Sequence, residues 1–83
     1  MASHYRPMTQ FELDTLKHHA KVVGAEFIGG TVFSAAFKMG WNNTVAGGKV
    51  RDAFLRDLPA RFSDERAEVK VLDYMITIRM RNA

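Results

Sequence analysis

The sequence contains no cysteine, which excludes disulfide bonds, cysteine-based zinc sites and a thiol nucleophile. It has two prolines and a single tryptophan among its 83 residues. No apolar run is long enough for a membrane span or has the form of a signal peptide, so we expect a cytoplasmic protein without a membrane partner. A domain this small without disulfides is stabilised by packing alone or by oligomerisation, and we expect a homodimer.

The composition is that of an ordinary globular chain, with 47% hydrophobic and 25% charged residues. The net charge of +3 permits a polyanionic partner without requiring one. We expect a flexible N-terminal arm over residues 1–8 and a single small α+β domain over residues 9–83.

A first helix begins with a clear signal. Thr9 and Glu12 form the T-x-x-E capping box, in which each side chain satisfies a backbone N–H at the helix start. Gly24 suits a left-handed cap at the helix end. Between them runs an apolar stripe at 3-4-3 spacing, typical of a helix face that packs on a core: Leu13, Leu16, Ala20 and Val23.

Residues 67–80 predict a β-hairpin that turns at Asp73 and Tyr74. In this register Glu68 lies opposite Arg79, a favourable cross-strand charge pair. Because side chains alternate across a strand, one face collects the apolar residues: Ala67, Val69, Val71, Ile76, Ile78 and Met80. This face requires a matching apolar surface from the rest of the chain.

The segment 31–39 is compatible with a helix or with a strand. As a helix it has a threonine cap before it and a glycine stop after it. As a strand it would follow a turn at Gly29-Gly30, but direct pairing across that turn sets Glu26 opposite Phe33 and mismatches the apolar faces. The two adjacent alanines favour the helix, which is the interpretation we prefer, with the strand left open.

A third helix follows, capped by Asn43 or Thr44 and ended by Pro59. Phe62, just beyond it, is predicted to anchor the following connection in the core. One face of this helix is apolar: Val50, Ala53, Phe54 and Leu58. The opposite face is predicted to face solvent: Lys49, Arg51, Asp52, Arg56 and Asp57.

The preferred fold is therefore α+β, with three helices and a C-terminal antiparallel β-hairpin in the order α-β-α-α-β-β. Ala36 precedes Gly40 by four positions, the spacing of a small helix residue and the turn glycine in a helix-turn-helix. With this order of elements, the chain resembles the winged-helix family of DNA-binding domains over residues 9–81. The alternative order is α-β-β-α-β-β, with residues 25–38 as a hairpin.

The winged-helix resemblance implies a small DNA-binding regulator of transcription that acts as a dimer on double-stranded DNA. Asparagine and arginine would contact base edges, and threonine and lysine would contact phosphates. The residues assigned to this surface, with the last two near the end of the hairpin, are Asn42, Asn43, Thr44, Lys49, Arg51, Arg56, Arg79 and Arg81.

The alternative function is a protein-binding inhibitor or adaptor of the kind that phages and mobile elements encode. Its motivation is a set of apolar residues left outside the predicted core: Phe11, Val22, Trp41 and Tyr74. An enzyme is not expected, because Asp14 and His18 have no nucleophile placed beside them. No metal is expected either, since His18 and His19 diverge by about 100° on a helix and do not face one ion. No cofactor and no small-molecule substrate are expected, because the sequence contains no motif for them.

Overall fold

The computed structural model describes residues 4–41 and 43–82, which form an antiparallel five-stranded sheet and two α-helices. None of the described helices is long and apolar enough to cross a membrane. The elements in chain order are β1 (Tyr5–Arg6), α1 (Gln10–Val23), β2 (Glu26–Thr31), β3 (Ser34–Lys38), α2 (Val45–Arg56), a one-turn 3₁₀ helix (Ala60–Phe62), β4 (Ala67–Val71) and β5 (Met75–Arg81).

Helix α1 confirms the predicted capping signals. The Thr9 hydroxyl accepts the Glu12 N–H at 3.1 Å, and the Glu12 carboxylate accepts the Thr9 N–H at 3.0 Å. Gly24 ends the helix in the left-handed conformation. Leu16 and Ala20 of the predicted stripe are buried in the core, and the other two members pack against it.

The predicted helix over residues 31–39 is wrong, because this segment contains a tight turn followed by β3. The chain turns at Val32-Phe33, between the paired residues Thr31 and Ser34, whose hydroxyl oxygens lie 3.1 Å apart. The two glycines that suggested a turn lie inside β2, after a bulge in its pairing with β3. This displaced turn brings the ring of Phe27 opposite that of Phe37 and removes the expected mismatch of apolar faces.

Strand β5 is the centre of the sheet. It pairs with β4 along one edge in the predicted register, with Glu68 opposite Arg79, so the C-terminal hairpin is confirmed. Its other edge pairs with β3 and then, beyond the end of β3, with the short strand β1. Met80 consequently has Ala67 on one side and Arg6 on the other. Both β1 residues fall in the segment 1–8 that the sequence assigned to an N-terminal arm.

The core lies between one face of the sheet and the helices. Phe37 of β3 packs against Phe54 of α2 in a tilted geometry with ring centroids 5.5 Å apart, and both side chains are fully buried. Phe62 of the 3₁₀ helix is buried as predicted. The apolar face of the C-terminal hairpin completes the core through its buried members: Ala67, Ile76, Ile78 and Met80.

The fold class predicted first therefore needs correction: the described chain has two α-helices and a five-stranded antiparallel sheet, not three helices with a C-terminal hairpin. From α1 onward the observed order is α-β-β-α-β-β, the order of the alternative, while β1 was in neither version. The helix-turn-helix that carried the winged-helix resemblance is absent from the described residues, because β3 occupies residues 34–38.

Candidate interaction surface

Two aromatic side chains that are distant in sequence meet on the surface beyond the end of β3. The rings of Trp41 and Tyr74 lie 5.1 Å apart at an interplanar angle of 51°, a tilted geometry that aromatic pairs favour. Trp41 is 57% exposed and Tyr74 is 40% exposed. We call this pair the Trp41–Tyr74 surface.

Strand pairing fixes one side of this surface. Lys38 at the end of β3 pairs with Met75 at the start of β5, and the next backbone bond runs from the Met39 N–H to the Tyr74 carbonyl at 3.0 Å. The β4–β5 turn is therefore tied to the chain just before Trp41, so the aromatic pair depends on β3 being a strand.

The start of α2 fixes the other side. The Thr44 hydroxyl donates to the Trp41 carbonyl at 2.7 Å, and the same oxygen accepts the Gly47 N–H at 3.0 Å as the N-cap of α2. A Cβ atom at Gly47 would lie 2.2 Å from the Trp41 carbonyl oxygen and 2.9 Å from the Gly40 carbonyl carbon. Glycine is thus required here because the backbone of α2 touches the backbone beneath Trp41.

The side chain of Arg51 connects the two sides of the Trp41–Tyr74 surface. It was predicted to face solvent and contact DNA, but it is only 9% exposed. Its Nη2 donates to the Asp73 carbonyl at 3.3 Å and lies 3.5 Å from the Gly40 carbonyl, so it links the β4–β5 turn to the segment before α2. Its Nε has no hydrogen-bond partner among the described residues. The prediction of a solvated Arg51 failed because its partners, the carbonyls of Asp73 and Gly40, belong to other segments of the chain, which the pattern of the helix alone does not show.

The other two residues predicted for a protein interface stay apart from each other. Phe11 and Val22 are both largely exposed on α1. They are eleven residues apart, which is about 16 Å along a helix axis. The guanidinium of Arg61 lies over the Phe11 ring at 5.2 Å, so this ring already has a neighbour within the chain.

The residues predicted to contact DNA are dispersed, and Asn42 lies outside the described residues. On and before α2, Asn43 and Lys49 are exposed, while Thr44 is engaged as the N-cap. Arg56 forms an exposed ion pair with Asp57 at 3.2 Å, which lowers the pKa of that carboxyl.

The remaining two predicted DNA contacts lie at the end of β5. The guanidinium of Arg79 lies over the ring of Tyr5 at 5.2 Å, and the Nε of Arg81 donates to the Asp64 carbonyl at 2.8 Å. The Tyr5 hydroxyl donates to the Glu68 carboxylate, which raises the pKa of Tyr5. The described members of the predicted set therefore do not form one helix face suited to a major groove.

A buried carboxylate, Glu12, is the strongest electrostatic feature of the described chain. Its side chain is fully buried, and Arg6 donates to it twice, at 2.9 Å to Oε1 and 2.7 Å to Oε2. The Arg6 hydrogen bonds, helped by the Thr9 backbone N–H and hydroxyl, lower the pKa of Glu12 to about 2 despite its burial. The capping box predicted the backbone contact, but the partner arginine emerged only from the pairing of β1.

Among the described residues, no group of three or more His, Asp or Glu side chains is arranged to hold a metal ion. No family model, no curated protein and no solved structure matches this chain. Function is therefore inferred from the geometry of the described residues alone.

Proposed function

We propose that the protein is a small protein-binding module, and that the Trp41–Tyr74 surface is its contact with a partner protein. The observation that carries this proposal is the exposed aromatic pair itself, with ring centroids 5.1 Å apart. Tryptophan and tyrosine are enriched among the residues that dominate binding energy at interfaces.

The pair is held in place before any partner arrives. Backbone hydrogen bonds tie the Tyr74 carbonyl to Met39 and the Trp41 carbonyl to Thr44. The buried guanidinium of Arg51 bridges the two segments. Because these contacts already restrict the backbone, binding loses less conformational entropy than it would on a flexible loop.

The occupant we propose is a different protein with an apolar cleft, not a second copy of this chain. A fully buried aromatic side chain covers about 150–250 Å², so the exposed parts of Trp41 and Tyr74 amount to roughly 200 Å². A stable interface buries about 800 Å² on each partner. A two-fold contact between two such pairs is therefore too small, whereas a cleft encloses the rings and contacts their surroundings.

The test compares four single variants in co-purification from nuclease-treated lysate of the source cells. Trp41→Ala and Tyr74→Ala remove the proposed contact, while Phe11→Ala and Val22→Ala remove exposed apolar side chains on α1 and serve as matched controls. We expect one stoichiometric protein to bind the wild type and both controls and to be lost from the two test variants. Circular dichroism verifies that all four variants are folded.

The purified partner is then titrated while the fluorescence of Trp41, the single tryptophan, is recorded. Removal of one dominant aromatic contact costs about 2 kcal/mol or more, so we expect Tyr74→Ala to weaken binding about 30-fold or more. The proposal is wrong if the partner binds the test variants as tightly as the wild type, or if only nucleic acid is recovered. A concentration-dependent dimer in sedimentation that Trp41→Ala abolishes would assign the surface to self-association instead.

A further inference from the structure

At the opposite end of β5 from Tyr74, side chains from four separate segments line a cleft of about 270 Å³. Four of its six lining residues are arginines, and only one is acidic. We call it the arginine cleft; its lining residues are Arg6, Arg61, Glu65, Arg66, Met80 and Arg81. We propose that the arginine cleft binds phosphate groups.

The sheet and the 3₁₀ helix bring these residues together. Arg6 of β1 pairs with Met80 of β5, and the Arg81 N–H donates to the Arg66 carbonyl at 2.8 Å. Arg61 enters from the 3₁₀ helix. Arg6 and Arg81 are therefore held in the sheet, and a backbone hydrogen bond ties Arg66 to Arg81. With Arg61 on the 3₁₀ helix, the cleft does not depend on one flexible loop. The cleft was not predicted from the sequence, because Arg6, Arg61 and Arg66 lie in segments of no recognisable pattern.

The charges of the cleft are only partly neutralised. Glu12 accepts two hydrogen bonds from Arg6 and lies 3.5 Å from Arg61, so one buried carboxylate serves two arginines. Glu65 is the acid on the exposed wall. Counting the four arginines against these two carboxylates leaves a formal charge of +2.

Two arginines of the cleft have N–H donors that contact no carboxylate among the described residues. Arg66 is exposed and has no ion-pair partner there, and Arg81 uses only its Nε, on the Asp64 carbonyl. A guanidinium presents its donors in a planar fork that matches two oxygens of a phosphate. Arg66 and Arg81 therefore supply the direct contacts, and Arg6 and Arg61, fixed by Glu12, add positive potential behind them.

Two kinds of ligand carry phosphate groups of this chemistry: a free polyphosphate and the backbone of a nucleic acid. Binding is measured with sodium pyrophosphate by calorimetry and with a fluorescein-labelled oligothymidylate by anisotropy across a salt series. Pyrophosphate binding that the oligonucleotide does not exceed assigns the cleft to free phosphates. Tighter oligonucleotide binding that pyrophosphate displaces assigns it to a phosphodiester backbone.

The test variant is the double substitution Arg66→Gln with Arg81→Gln, and the matched control is Arg56→Gln on α2, which removes one positive charge away from the cleft. We expect the double variant to lose at least tenfold in affinity for the probe that binds, with the control unchanged. For the oligonucleotide, loss of two phosphate contacts lowers the salt slope by about 1.4.

A variant that binds phosphate more tightly than the wild type shows that the affinity depends on the charge of the cleft, because a folding defect would only weaken binding. Glu65→Gln removes the exposed acid of the cleft, so we expect it to tighten binding of either probe a few fold. The proposal is refuted if neither probe binds the wild type at low salt, if Arg56→Gln loses as much affinity as the double variant, or if Glu65→Gln weakens binding.

Discussion

Replacing Glu12 by glutamine tests whether a single buried charge stabilises the junction of β1 and α1. The substitution keeps the size of the side chain and leaves an oxygen that can accept the Thr9 N–H. It removes the negative charge that Arg6 contacts through two hydrogen bonds. The cap is thereby retained while the ion pair is lost, so the measured effect belongs to the charge.

The magnitude follows from the pKa of Glu12, which falls from 4.5 to about 2 in the folded protein. Each unit of pKa difference corresponds to 1.36 kcal/mol, so the charged carboxylate stabilises the fold by about 3 kcal/mol. Because the folded-state pKa lies below the unfolded-state value, this stabilisation is complete above pH 4.5 and is lost as the pH falls toward 2. Between pH 6 and pH 3 the stabilisation falls by about 2 kcal/mol.

The assay is urea unfolding of the wild type and E12Q, followed by circular dichroism at several pH values from 6 to 3. We expect the difference in unfolding free energy to be about 3 kcal/mol at pH 6 and to shrink by about 2 kcal/mol at pH 3. A control is Asp57→Asn, which removes an exposed ion pair with Arg56 and should leave stability nearly unchanged. A difference between wild type and E12Q that stays constant with pH would refute the assignment of the stabilisation to the charge.

Three further substitutions test the packing that positions the site. Gly47→Ala places a Cβ atom 2.2 Å from the Trp41 carbonyl oxygen. We therefore expect thermal unfolding to show that the free energy of unfolding falls by about 2 kcal/mol, and we expect the fluorescence of Trp41 to change. Thr44→Ala removes the N-cap of α2 and its bond to Trp41, which should cost about 1 kcal/mol in urea unfolding; no loss would contradict the cap. Phe37→Ala empties a fully buried site and should cost about 4 kcal/mol in the same assay, whereas the exposed Val22→Ala should have no measurable effect.

Local sequence patterns predicted the secondary structure correctly where they were unambiguous. The capping box at Thr9 predicted the start of α1, and strict alternation from Ala67 to Met80 predicted the register of the C-terminal hairpin residue by residue. Each signal is contained within its own short segment, so it could be interpreted without knowing how the rest of the chain folds.

The segment around Phe37 was predicted wrongly because its structure is decided by a distant strand. Ser34–Lys38 pairs along its whole length with Met75–Arg79, some forty residues later. The turn that makes this possible lies at Val32-Phe33, two apolar residues that carry no turn signal, while the glycine pair lies within β2. Tertiary pairing overrode the local helix preference.

The candidate site was predictable in its parts but not in its assembly. Trp41 and Tyr74 were each recognised as aromatics outside the core, yet their contact requires β3 to pair with β5. The same pairing explains why Arg51 is buried, since it links the segments that this pairing brings together. The preferred helix over residues 31–39 excluded this strand pairing, so the sequence predicted neither the contact between the two rings nor the burial of Arg51.

The central position of β5 has a consequence for how the protein is made. β5 follows every other described element in the chain, yet β1, β3 and β4 all pair with it. During synthesis these three strands leave the ribosome before their common neighbour exists, so the sheet forms only after Met75–Arg81 has emerged. Until then the apolar faces of β3 and α2 lack the strand that covers them, so a chain terminated before Met75 lacks the common partner of three strands and cannot form this sheet.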